Sequence, residues 1–187
     1  MIDRIAILGG SSVYTPEFVQ SLISHNVNVK EIVLFGRPGN KLSVVAQFCQ
    51  RIVNRSGFPT KVIPSTDLKS AVTGARYIVN HVRVGGMPAR VRDEKLPPRQ
   101  GMIGDESLGA GGFANAMRTL PVVLQMAAAI EEINPDSVFI NLTNPMGVVV
   151  EALTKLTKLN VLWVCDLPST TVKHIASVLH QEASQLQ

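Results

Sequence analysis

Short apolar runs alternate along the chain with longer stretches in which apolar residues recur every third or fourth position. The runs RIAILGG (4–10), EIVLFG (31–36), RYIVNHV (76–82), SVFINLT (137–143) and NVLWVCD (160–166) predict strands, and KVIPST (61–66) a shorter one. Between and after them, TPEFVQSLISH, NKLSVVAQFCQRIVNRSG, DLKSAVTGA, FANAMRTLPVVLQMAAAIEEINP, NPMGVVVEALTKL and STTVKHIASVLHQ predict helices. Thr15 is the expected N-cap of the first helix, with Pro16 at its first helical position. Gly57 is the expected stop of the second helix, and Asn144 and Pro145 the cap and first position of a later one. Pro121 is expected to disturb the long helix.

Strands that alternate with helices predict right-handed βαβ units and a parallel sheet covered on both faces. The expected fold class is α/β, a Rossmann-like doubly wound sheet of the lactate/malate-dehydrogenase kind. No internal repeat or low-complexity linker divides the chain, so residues 1–187 read as one nucleotide-binding unit. Ligands of such sheets bind outside the carboxyl ends of the strands. Gly9, Gly10, Ser11 and Ser12 fall there, with Arg37, Asn144, Cys165 and Asp166. So does RVGGMPARVRDEKLPPRQGMIGDESLGAGGF (83–113), which reads as an overlong, charged, glycine-rich loop.

Composition narrows the partners. The chain is 45% hydrophobic and 17% charged, which argues against disorder at domain scale. The formal charge of +4 is a modest excess, and the bases Arg83, Arg90, Arg92, Lys95 and Arg99 are interleaved with Asp93 and Glu94. That mixture suits a small anion better than a nucleic-acid stripe, and 5% aromatics disfavours base stacking. Two cysteines, Cys49 and Cys165, make no disulfide framework. No signal-like start and no uncharged apolar run of membrane length is present, so the expected setting is cytoplasmic, without a membrane or nucleic-acid partner.

Each candidate has an ordinary structural reading beside its chemical one. LGGSSVYTPEF follows a strand and opens a helix, as a pyrophosphate-binding turn does, but it departs from G-x-G-x-x-G at Ser11 and Tyr14. After the second strand, where an acid usually meets the adenosine ribose, stand Arg37 and Lys41. They could face a phosphate, as NADP would require, or form a solvated turn. Asn144 could be a helix cap, Cys165 a small buried hydrophobe and Asp166 a cap-side acid.

Taken together, ILGGSSVYTPEFVQSL, RVGGMPARVRDEKLPPRQGMIGDESLGAGGFANAMRTLPV, NLTNPMGVVVEAL and VCDLP resemble glycoside hydrolase family 4 in order and spacing over essentially the whole chain. That family departs from the two-carboxylate scheme of most glycosidases. The resemblance implies NAD-dependent oxidation of the sugar at C3, deprotonation at C2 by a tyrosine, elimination at C1, hydration and re-reduction. A divalent metal, usually Mn²⁺, polarises the sugar oxygens. It implies Arg90 and Asn144 as substrate contacts and Cys165 as a metal ligand. Glu106 would support the tyrosine base. Asp166 would be the general acid of the 6-phospho-α-glucosidase branch, with a small phosphorylated sugar as partner and a homo-oligomer in the full-length protein.

Departures from the family pattern are Asp105-Glu106-Ser107 for Gln-Glu-Thr, Gly109-Ala110-Gly111-Gly112 for Gly-Pro-Gly-Gly, and the missing acid after the second strand. The expected metal-binding histidine and tyrosine base belong to a C-terminal half that has no counterpart in these 187 residues, so the isolated chain is expected to be inactive. Two other readings stay open: an NAD(P)-dependent 2-hydroxy-acid-type dehydrogenase, and a non-catalytic nucleotide-binding remnant.

Overall fold

A computed structural model describes residues 1–165 and 167–186. Six parallel strands, β1 (Ile2–Leu8), β2 (Val29–Phe35), β3 (Lys61–Ser65), β4 (Tyr77–Asn80), β5 (Val138–Asn141) and β6 (Asn160–Trp163), form one sheet in the order β3-β2-β1-β4-β5-β6. The helices are α1 (Thr15–Ser24), α2 (Asn40–Ser56), α3 (Leu68–Val72), α4 (Gly86–Lys95), α5 (Gly109–Ile133), α6 (Met146–Leu156) and α7 (Leu167–Leu179). This is the doubly wound order with its switch point between β1 and β4, as the alternating pattern predicts.

Two apolar clusters hold the layers together. One packs Ala6, Leu8, Ile78 and Phe139 of the sheet against Val123, Ala127 and Ile130 of α5 and Val149 and Leu153 of α6. The other packs Ile5, Ile7, Ile32 and Leu34 against Val19 of α1 and Leu42, Ala46, Cys49 and Val53 of α2. Alternate residues of β1 therefore serve opposite faces, as the period of two requires.

Four local expectations are corrected. Residues 86–95, expected in a loop, form α4, and Pro97–Gln100 add a 3-10 turn. Tyr14 caps α1, one residue before Thr15. Pro145 rather than Asn144 occupies the N-cap of α6, and the Asn144–Pro145 peptide is cis. Helix α5 runs unbroken through Pro121, because Thr119 and Val123 on either side of it are buried. Met117, whose carbonyl loses its donor there, is largely exposed and open to water. By length and composition α5 could cross a membrane, but its buried stripe packs on Phe139 and the sheet.

Candidate active site

The first strand ends in a turn that only glycine fits. Gly9 has φ +90°, and a Cβ on it would lie 3.0 Å from the His81 carbonyl oxygen, across the switch point. A Cβ on Gly10 would come within 2.6 Å of Leu34 Cβ. Both amides donate to the Phe35 carbonyl, at 3.0 and 2.8 Å, which ties the turn to the end of β2. Ser12 closes the turn: its amide donates to Gly9 at 2.9 Å, and its hydroxyl accepts from the Tyr14 amide at 3.3 Å. Ser11 and Ser12 are half-buried, and Arg37 is exposed just past β2. The residues expected to bind a dinucleotide thus adjoin one another. The space each Cβ would take is filled by His81 and Val82 past β4 and by Leu34 of β2, so the two glycines let the turn pack closely between the ends of those strands.

On the other side of the switch point, Glu106 gathers the polar groups. It pairs with Arg83, and its Oε2 lies 3.4 Å from Arg90 Nε. Asn144 Nδ2 donates to Glu106 Oε1 at 3.4 Å. Arg90, Glu106 and Asn144, far apart in sequence, are therefore brought together. The Arg90 Nε also donates to Glu94 Oε1 at 2.8 Å, one helical turn on. The Glu94 hydrogen bond, with the charges of Glu106 and Glu94, raises the pKa of Arg90 above its ordinary value against the opposing effect of burial.

A buried network underneath fixes this cluster. Asp93, only 5% exposed, pairs through both oxygens with Arg118, at 3.1 Å for Nη1. Arg118 Nε donates to the Val84 carbonyl at 2.9 Å, and a terminal nitrogen to Asn115 Oδ1 at 3.3 Å. Asn115 Nδ2 donates to the carbonyls of Glu106 at 3.0 Å and Asn144 at 3.1 Å. Asn115 thus joins the segment before α5 to the segment before α6. Arg83, Asn115 and Arg118 were not singled out as site residues in the sequence. Their signal was polarity on an otherwise apolar helix for Asn115 and Arg118, and a basic residue directly after a strand for Arg83. Below them, Asn80 of β4 donates to Asn141 of β5 at 2.9 Å, between residues in register.

Two expected residues stand outside this geometry. Cys165 is exposed past β6, and among the described residues no three His, Cys, Asp or Glu side chains converge as metal ligands. The alternative reading of Cys165 as a small buried hydrophobe does not hold, because its side chain is exposed. Asp166 lies outside the described residues. The described ion pairs all use Arg or Lys, so no described histidine is held by a carboxylate as a hydroxy-acid dehydrogenase would hold its base.

The family 4 glycosyl hydrolase model matches residues 4–181. The chain belongs to this family. It is 35% identical over 181 residues to the 6-phospho-beta-glucosidase of Escherichia coli (strain K12), covering 94% of this chain and 40% of that protein. A 6-phospho-alpha-glucosidase from gut microorganisms, in complex with NAD and Mn²⁺, superposes with TM-score 0.87 at 26% identity over 100% of this chain and 44% of that one. The Thermotoga maritima 6-phospho-beta glucosidase, with manganese, NAD⁺ and glucose-6-phosphate, gives 0.83 at 31% over 97% and 44%. Lactate dehydrogenase from Eimeria maxima, 17% identical with TM-score 0.67 over 98% of this chain and 50% of that one, shares the fold alone. The chain spans less than half the length of the family 4 relatives it matches.

Proposed function

We propose that this chain, residues 1–187, is the dinucleotide-binding half of a family 4 glycosidase acting on 6-phospho-glucosides, of the α branch. The observation that carries the reading is the cluster of Arg83, Arg90 and Asn144 around Glu106, across the switch point from the glycine turn that follows β1 and precedes α1. The Gly9–Ser12 turn holds the dinucleotide. A nicotinamide dinucleotide held there would supply reversible hydride exchange with the sugar C3.

Arg90 meets its carboxylate neighbours through Nε, so its two terminal nitrogens remain to grip an oxyanion bidentately. That suits the 6-phosphate of the sugar. Asn144 presents an amide to a sugar hydroxyl, its carbonyl held by Asn115. Glu106, 12% exposed at its side chain, supports the basicity of a tyrosine supplied from outside this chain. Asp166, directly after Cys165, is the proton donor to the leaving oxygen and the reason for preferring the α anomer. Mn²⁺ or another divalent metal needs more donors than Cys165 supplies. The described residues alone do not build that centre. The setting we assign is cytoplasmic, with a homo-oligomer in the full-length protein and no nucleic-acid or membrane partner.

Two measurements test this. The chain alone is expected to bind a nicotinamide dinucleotide by calorimetry and to release no nitrophenol from either anomer of nitrophenyl 6-phospho-glucoside; turnover by the chain alone would contradict its assignment as a half-site. Joined to the C-terminal half of a family relative, it is expected to cleave the α anomer. Cleavage of only the β anomer would reverse the role given to Asp166.

A further inference from the structure

We infer that the dinucleotide this chain prefers carries a 2′-phosphate on its adenosine ribose, so that NADP(H) rather than NAD(H) fills the site; this rests on the nucleotide-binding reading above. In a doubly wound sheet the residues just past β2 meet the adenosine ribose: a carboxylate there accepts from the two ribose hydroxyls, whereas an arginine accommodates a 2′-phosphate. Here the whole stretch from Gly36 to Ser43 contains no carboxylate and two cations, Arg37 and Lys41. Among the described residues neither enters an ion pair or a side-chain hydrogen bond, and Arg37 is exposed. The carboxylate past the neighbouring strand, Asp67, is engaged in capping α3 through Ser70 at 2.8 Å.

The backbone places these cations at the cofactor turn. Gly9 and Gly10 both donate to Phe35, two residues before Arg37. A Cβ on Gly36 would lie 3.7 Å from Ser11 Oγ, so the hydroxyl of the first turn borders the second. Gly39 has φ +142° and caps α2 without a side-chain acceptor, and the first turn of α2 carries no acid. The two turns adjoin at Ser11 and Gly36, and the chain just past them carries Arg37 and Lys41, without partners among the described residues, and no carboxylate. An adenosine with a free 2′-hydroxyl gains no carboxylate acceptor there, while a 2′-phosphate gains up to two charge-assisted partners. The two relatives described above were crystallised with NAD, so the inference sets this chain apart from them at one position of a shared site.

The test is isothermal titration of the 187-residue chain with NAD⁺, NADP⁺, 5′-AMP and 2′,5′-ADP at low and physiological salt. The expected result is NADP⁺ binding at least about 10-fold tighter than NAD⁺, with 2′,5′-ADP likewise above 5′-AMP. Arg37→Ala is expected to remove most of that preference by weakening NADP⁺ binding more than NAD⁺ binding, and Lys41→Ala part of it, with far-ultraviolet dichroism unchanged because neither side chain has a structural partner among the described residues. NAD⁺ binding as tightly as NADP⁺ overturns the inference and leaves the nucleotide-binding reading standing. No binding of either dinucleotide by chain that retains its far-ultraviolet dichroism overturns both. A preference that survives the double substitution also overturns it.

Discussion

At the scale of single residues, the informative groups are polar side chains that the fold has taken out of water. His81 follows β4 at the switch point, and burial pushes its pKa down to about 4 from the ordinary 6.5. A histidine kept neutral in the fold binds fewer protons than its unfolded counterpart between those two values. Stability is therefore complete above about pH 6.5 and falls as the pH drops toward 4, by at most about 3 kcal/mol from this group. Urea titrations at steps across that window are expected to show a shallower fall for His81→Gln than for the unsubstituted chain. Equal slopes would remove His81 from the account. Asp93 offers a second case. Its substitution by alanine strands the Arg118 guanidinium beneath Asn115 and Glu106, at a cost of about 3 kcal/mol, toward the low end for a broken buried pair because Arg118 is partly exposed. On the sugar-phosphate reading proposed above, the same substitution is expected to weaken glucose-6-phosphate binding, since Arg118, released from Asp93, would no longer be fixed against Asn115; a stability loss with unchanged sugar affinity would confine the network to a structural role. Arg90, Glu106 and Asn144 were legible in the sequence through the family resemblance. Asn115 and Arg118 were not, because a polar residue on a mostly apolar helix declares its importance only once its partners from other segments are in place.

At the scale of elements, the strands and most helices follow from periodicity, and the one substantial miss has a physical cause. The stretch 86–95 lacks an amphipathic pattern and contains Pro88, two features that read as loop. Proline is tolerated there because it sits in the first turn of α4, and the helix is held by Ala89 and Asp93 packing and pairing toward α5 rather than by an apolar stripe. Gly85, with φ +81°, is what lets the chain enter that helix, since a Cβ on it would lie 2.5 Å from Ala89 Cβ. The glycine turn after β1 was legible for the same reason it is fragile: its residues answer to backbone geometry. Gly10→Ala is expected to destabilise the chain by about 3 kcal/mol, because the methyl group meets the backbone of β2 as well as Leu34 Cβ, and backbone cannot rotate aside. Thermal denaturation would check this, and a loss below about 1 kcal/mol would mean that β1 and β2 separate more easily than their shared hydrogen bonds to Phe35 imply.

At the scale of the whole molecule, the two ends of the sheet differ. Both outer strands, β3 and β6, are edges, but on the β3 side the second cluster is closed by α2, whereas β6 leaves Leu162 and Trp163 at 49% and 58% exposure. Helix α7 beside it in sequence buries only Ala176 and leaves Leu167, Ile175, Val178 and Leu179 exposed. An edge strand with free backbone groups and large apolar side chains invites pairing with another chain. The alternating pattern could not reveal this, since NVLWV reads as apolar whether or not anything covers it; only the strand order shows that β6 has a single neighbour. The 187-residue chain is therefore expected to self-associate with rising concentration in sedimentation velocity. Leu162→Lys places a charge on that edge and is expected to shift the distribution toward monomer without changing dinucleotide affinity, because the cofactor turn lies three strands away across β5, β4 and β1. Association that persists in Leu162→Lys and disappears in Val178→Lys would move the contact from the strand edge to α7. A monomer at all concentrations for the unsubstituted chain would mean that neither surface is sticky enough to act alone.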